Sequence, residues 1–237
     1  MEQMKKTLLD GLPALGLALS DETADRLCAF GEAVVRQNEV MNLTAITEPT
    51  AVAKLHLLDS LTVLACADVK GKTLIDVGTG AGFPGMPLQI MEPTAKCTLL
   101  DSLGKRINFL QEVCDELGLS HTRCVHARAE EYARDHREQF DFATSRAVAA
   151  LNVLCELALP MVKVGGAFLA MKSVDSDEEL RQAKSAIAQL GGSVESVQDY
   201  TIPGTDVTHR LVTIRKVKPT PHAFPRAFAR IKKNPLI

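Results

Sequence analysis

No run of 18 apolar residues occurs anywhere in this 237-residue chain, which excludes a membrane-spanning helix visible by hydropathy. The start, Met1-Glu-Gln-Met-Lys-Lys, has neither the sustained apolar stretch nor the cleavage site of a secretory signal. No Cys-x-x-Cys pair is present. The six cysteines, Cys28, Cys66, Cys97, Cys114, Cys124 and Cys155, are scattered, mostly in apolar segments. They read as reduced core thiols of a cytoplasmic protein. His121, Cys124 and His126 lie close together, but alternation along a strand puts His121 on the face opposite Cys124 and His126, so no metal site is expected. A P-loop, a His-Glu-x-x-His signature and a nucleophile elbow are all missing. There are no internal repeats and no low-complexity segment. What remains is 46% apolar, ample for one core, in a length that suits one α/β domain with an appendage.

The most informative stretch is Thr73-Leu-Ile-Asp-Val-Gly-Thr-Gly-Ala-Gly-Phe-Pro-Gly85. A short apolar run carries Asp76 near its exit and opens into Gly78, Gly80, Gly82 and Gly85, where the backbone turns sharply. A doubly wound sheet builds its nucleotide site at such a first strand–helix turn. The spacing is G-x-G-x-G, and Phe83 stands where a dinucleotide fingerprint has its third glycine. A carboxylate two residues before the first glycine opposes a pyrophosphate and suits a ligand with a cationic end and no phosphate. S-adenosylmethionine is such a ligand.

A second strand, Lys96-Cys-Thr-Leu-Leu-Asp101, also ends in a carboxylate, placed to accept both ribose hydroxyls of an adenosine or to cap a helix. Ser102 reads as the N-cap of a helix that Gly118 stops. A third strand, Thr122 to His126, leads to Ala129 and Glu130, which face either the adenine edge or solvent. A fourth, Phe140 to Ser145, carries Arg146 at its carboxyl end, positioned for the donor's carboxylate, an RNA phosphate or a salt bridge. Gly165-Gly166 turns into a fifth strand, Asp175 to Leu190 is a helix, and Ser193 to Tyr200 with Val207 to Lys216 form an antiparallel hairpin. The N-terminal pattern predicts helices from Lys5 to Leu17 and from Ser20 to Arg36. A short one opens at Pro49 and leads to His56, and Asp59-Ser60 cap another.

Asn42-Leu-Thr-Ala-Ile-Thr, Lys54-Leu-His-Leu-Leu-Asp-Ser60, the loop from Asp76 to Gly85, Leu100-Asp-Ser-Leu-Gly-Lys-Arg106, Arg128-Ala-Glu130 and Ser145-Arg-Ala-Val148 resemble the small-subunit rRNA methyltransferase G family. The family is also called glucose-inhibited division protein B. The resemblance runs from about residue 20 to the C-terminus. It implies methyl transfer from S-adenosylmethionine to N7 of a guanine in 16S rRNA, the rRNA or small subunit being the partner. It places the donor at Gly78, Phe83, Ala129, Glu130 and Arg146; the fold adds Asp76, Gly80 and Asp101. Guanine N7 has an in-plane lone pair and no proton, so alignment alone serves catalysis and no general base is needed. The sequence agrees, with neither the Asp/Asn-Pro-Pro-Tyr/Phe motif of N6-adenine methylation nor the Pro-Cys of C5-pyrimidine enzymes. Other acceptors, a nicotinamide-dependent oxidoreductase and a non-catalytic assembly factor remain as alternatives.

The formal charge of −2 hides an asymmetry. Residues 1–206 carry a net −10, whereas 207–237 hold eight basic residues and no acid. Arg226, Arg230, Lys232 and Lys233 are the expected RNA contacts, with Phe224 and Phe228 able to stack on unpaired bases or pack on the sheet. The expected organisation is a helical appendage over 1–70, a Rossmann-like methyltransferase unit over 71–217 and a basic tail over 218–237, acting as a monomer.

Overall fold

The computed structural model describes all residues, 1–237. Its N-terminal layer starts with α1 (Glu2–Gly11), continued by a 3-10 turn over Leu12–Leu15 where Pro13 removes a backbone donor. Helix α2 (Asp21–Met41) is capped as expected, the Thr23 amide donating to Ser20 Oγ at 3.2 Å, and runs five residues past the expected end at Arg36. Helix α3 (Pro49–Val52) passes without a break through a π-helical stretch, Ala53–Leu58, into α4 (Asp59–Leu61). Asp59 and Ser60 therefore cap nothing. Ser60 Oγ instead donates back to the His56 carbonyl at 2.6 Å, inside the continuous helix.

Strands β1 (Thr73–Val77), β2 (Lys96–Asp101), β3 (Thr122–His126), β4 (Phe140–Arg146), β5 (Val162–Ser173), β6 (Gly192–Thr201) and β7 (Thr208–Lys216) form one sheet in the order β3-β2-β1-β4-β5-β7-β6. The first five run parallel and β7 is antiparallel to both its neighbours, as the hairpin reading required. Gly165 and Gly166 lie within β5, not ahead of it, where the register against β4 shifts. The order reverses at β1, which lies between β2 and β4, so the tips of these three strands open a crevice there.

Helices α5 (Gly85–Met91), α6 (Gly104–Glu116), α7 (Ala129–Asp135), α8 (Leu151–Ala158) and α9 (Asp177–Gln189) cover the sheet. Successive strand residues point to opposite faces. Leu74 and Leu99 join a core with Leu8, Leu27, Phe30, Leu57 and Leu110. Ile75 and Leu100 join another with Leu154, Leu157 and Ile187. Residues 1–70 thus share one core with a whole face of the sheet. Each fully buried Leu or Phe contributes about 1.5–3 kcal/mol, so that layer is tied to the sheet energetically. The predicted cap of α6 differs. The helix starts one residue later than expected, at Gly104, with Leu103 in the N-cap position; the Leu103 amide donates to Asp101 Oδ1 at 2.9 Å and no side chain caps the helix.

The tail folds back onto the body. A further helix, α10 (Phe228–Lys233), which charge and composition did not predict, buries Ile231 in the second core. Glu156 on α8 is wholly buried and accepts from Arg226 Nε at 2.8 Å, Arg226 Nη2 at 2.6 Å and the Arg226 amide at 2.9 Å. Arg137 donates to the carbonyls of Phe224 and Thr220, both at 2.6 Å. Arg210 pairs with Asp199 and Asp177, Arg215 with Glu195, and the buried Lys216 with Glu138 and two main-chain carbonyls. Arg226 is therefore a structural clamp and not a free phosphate contact. Lys218, Arg230, Lys232 and Lys233 remain exposed without a carboxylate partner.

Candidate functional site

At the carboxyl ends of β1, β2 and β4 lies an open cleft of about 1320 Å³. Gly78, Gly80, Phe83, Asp101, Ala129, Glu130 and Arg146 all line it, so seven of the eight sequence-derived donor residues meet at one place. Gly78 and Gly80 hold φ of +73° and +58°, in the left-handed region that a glycine takes without strain. Asp101 Oδ2 accepts the Gly80 amide at 2.9 Å, so the tip of β2 braces the glycine loop. Glu130 is buried at the start of α7 and bonded to Arg128 Nε at 3.1 Å, not solvated. Arg128 in turn lies 5.2 Å over the ring of Phe228, which closes one rim.

Asp76, the eighth, lies beneath the loop instead of on the cleft wall. Its Oδ2 accepts from Thr79 Oγ1 at 2.7 Å and from the Gly85 amide at 2.9 Å, pinning both ends of the turn. Its Oδ1 is buried with no partner. Burial pushes the carboxyl up to about 6, against the opposing pull of the Thr79 and Gly85 bonds. An orphaned buried carboxylate oxygen under a glycine cradle fits a ligand with an ammonium or sulfonium group.

Arg146 lines the cleft and is ion-paired within the protein. Its Nη1 donates to the fully buried Asp59 Oδ2 at 2.8 Å, and its guanidinium lies 5.0 Å over Phe83. Asp59 also accepts from Tyr200 OH and His209 Nδ1, each at 2.9 Å. Burial alone would raise this carboxyl, but His209 and Arg146 hold it below the usual range. The salt-bridge alternative for Arg146 is therefore the one observed. Its charge is matched by Asp59, and one face of its guanidinium lies on Phe83. His56, one turn before Asp59, stacks on Phe83 at a centroid distance of 4.6 Å. Burial and then the Arg146 charge lower its imidazole to about 4.

Sequence reasoning on the site missed Thr44, His56, Asp59 and His209. The available signal was Lys54-Leu-His-Leu-Leu-Asp-Ser60, where two ionisable residues one turn apart interrupt an apolar helix.

The two shifts have opposite pH consequences. Asp76 is raised, so its folded form is favoured while protonated, and stability falls as pH rises from about 4 through about 6. His56 is depressed, so its contribution is full above its unfolded value and is lost as pH falls from about 6.5 through about 4. In the intact protein these slopes oppose each other. Asp76→Asn should leave stability rising with pH across this window, and His56→Asn should leave it falling. Urea denaturation between pH 4 and 7 measures both; parallel slopes in the two variants would refute the assignment.

Comparison with known proteins agrees with the cleft. Residues 23–208 match the model of the family described as rRNA small subunit methyltransferase G. A protein of Alkaliphilus metalliredigens named ribosomal RNA small subunit methyltransferase G is 46% identical over 237 residues, covering 99% of each chain. One of the same name from Acetivibrio thermocellus is 42% identical over 236 residues, covering 99% of this chain and 97% of its own. Among solved structures, an O-methyltransferase from Bacillus cereus in complex with SAH superposes with a TM-score of 0.56. It is 16% identical and the match covers 79% of this chain and 91% of that one, a likeness of fold. The glycine loop over a buried acid, the second-strand carboxylate and full-length similarity converge: this chain belongs to the rRNA small subunit methyltransferase G family.

Proposed function

We propose that the protein transfers a methyl group from S-adenosylmethionine to N7 of a guanine in 16S rRNA. The observation that carries this reading is the convergence of the Gly78–Gly80 turn, Asp101 and Glu130 on one cleft. In this reading the donor's adenosine lies against Asp101, Ala129 and Glu130, and its amino-acid end lies over the loop that Asp76 supports. The N7 lone pair attacks the methyl carbon, the carbon–sulfur bond breaks, and its electron pair stays on sulfur. No proton moves, so the chain's task is alignment and exclusion of water. Alignment of a well-oriented pair is worth up to about 7–11 kcal/mol.

RNA approaches over the rim where Arg128 and Phe228 meet α10. Arg230, Lys232 and Lys233 supply exposed positive charge there, on a body that is otherwise net negative. The catalytic unit spans 71–217, residues 218–237 serve as its RNA-facing arm, and the acceptor places the enzyme in the cytoplasm. In this reading the chain works as a monomer, and the alignment of N7 with the methyl carbon asks for no metal.

Incubation with methyl-labelled donor and unmethylated 16S rRNA, or small subunits carrying it, should place label on N7 of a single guanine. Label on another atom or another RNA overturns the acceptor assignment. Neutralising Arg230, Lys232 and Lys233 together should leave donor affinity intact. The slope of log affinity for RNA against log salt should become shallower by about 0.7 for each phosphate that is no longer neutralised. An unchanged salt slope would move the RNA surface elsewhere.

A further inference from the structure

Beyond Phe83 the cleft has a second half that the donor reading does not use. Leu43, Thr44, Leu55 and His56 line it from the N-terminal layer, and Val207 and His209 from the hairpin. It lies across the glycine loop from Asp101 and Glu130, where an acceptor must be if the methyl group is to pass between the two. The half-buried His56 stacks on the buried Phe83 and is the ring of that pair placed to meet a base.

Hydrogen-bond accounting assigns the polar group in this half. Arg146 is a donor only, and its Nη2 lies 3.3 Å from His56 Nδ1. That nitrogen also lies 3.1 Å from the Leu55 carbonyl, but a proton on it would face the Arg146 cation. With Nδ1 taken as the acceptor for Arg146, in preference to a donor to the Leu55 carbonyl, the neutral ring carries its proton on Nε2, which donates to Thr44 Oγ1 at 2.8 Å; the other tautomer would accept the Thr44 proton instead. The Ile46 amide donates to the same oxygen at 3.0 Å. A hydroxyl has two acceptor positions, and both are taken. The Thr44 proton has no protein acceptor, in a side chain on the cleft wall. The Thr44 amide is itself held, donating to Asn38 Oδ1 at 2.8 Å.

We infer that Thr44 is a specificity-determining residue for the acceptor, donating its hydroxyl proton to O6 of the guanine being methylated. Asp59, Arg146 and His56 act through it, as positioning residues that fix the tautomer and hence the direction of the hydroxyl. Guanine carries an acceptor at O6, next to N7; adenine presents an amino donor there and meets a second donor. The inference rests on the proposed guanine-N7 reaction.

The test pairs enzyme and substrate changes. Wild type, Thr44→Val and Thr44→Ser are assayed on 16S rRNA carrying either guanine or 2-aminopurine at the target; the latter keeps N7 and lacks O6. Wild type should favour guanine by about tenfold in kcat/KM, the scale of one neutral hydrogen bond. Thr44→Val should lose that preference by slowing on guanine alone, and Thr44→Ser should keep it. Donor affinity by calorimetry should match wild type in both variants, which separates this effect from misfolding. Equal slowing on both bases, or an undiminished guanine preference in Thr44→Val, overturns the inference and leaves the reaction standing. Failure of the wild type to methylate the guanine substrate at N7 overturns the reaction and the inference together.

Discussion

Gly78→Val should abolish detectable binding of S-adenosylmethionine while the protein stays folded. Two observations make the effect large. Gly78 holds φ at +73°, a region costly for any β-branched residue. A Cβ there would also come within 2.7 Å of Val148 Cγ2 and 3.2 Å of its Cγ1, far inside van der Waals contact. The exposed Val148 side chain can yield to that contact, but the positive φ strains the loop whatever Val148 does, and it is the loop that a donor would approach most closely. Calorimetry should show at least a hundredfold loss of affinity, with the circular dichroism of the wild type retained. Affinity within a few-fold of wild type would take this turn out of the donor site. Asp101→Ala should act more mildly, by roughly 1.5–3 kcal/mol for bonds to a charged acceptor. Part of that loss is indirect, since Asp101 also holds the Gly80 and Leu103 amides.

Arg226→Ala should destabilise the protein by about 3–5 kcal/mol, because it strands the fully buried Glu156 without its partner. At this chain length that corresponds to a melting point lower by about 10 °C. Replacing Arg230, Lys232 and Lys233 instead should change stability by no more than about 0.5 kcal/mol, as expected for exposed, unpaired side chains. The contrast separates the clamp from the exposed charges proposed to meet RNA. Were Arg226→Ala to melt with the wild type, the pair would contribute nothing and the tail would be held by Ile231, the Arg137 hydrogen bonds and contacts such as the Asn152 bond to the Leu236 carbonyl. A variant that neutralises all four together confounds weaker RNA binding with a loosened tail.

Much of the donor cleft was legible because its signals are local. Strands β1 to β4 fall within a residue of their expected limits, and the glycine turn is readable because positive φ restricts which residues fit. Strand tips in a parallel sheet necessarily converge, so four short patterns located one crevice. Helix starts were less legible. Ser20 caps α2 as its pattern implied, yet Ser102 does not cap α6, because the helix starts one residue later, with Leu103 in the N-cap position and its amide held by Asp101. Asp59-Ser60 looked like a cap for the same chemical reason and lies inside a continuous helix, where burial and distant partners override local preference.

The basic tail shows how far composition carries and where it stops. Counting charges identified a segment with no acid, but a count does not know that Glu156 and Arg226 meet across 70 positions. The hub at Asp59 is of the same kind. Its partners Arg146, Tyr200 and His209 lie 87, 141 and 150 positions away. The sequence by itself determined the fold class, the glycine turn, the carboxylate at the tip of β2 and the family. These depend on backbone conformations and apolar periods written in consecutive residues. Only the tertiary structure decided which cations are paired, that Asp76 braces the loop from below, and that Thr44, His56 and Arg146 form one chain. Whether a charge is free or clamped depends on what burial brings beside it, and no local pattern encodes a partner a hundred residues away.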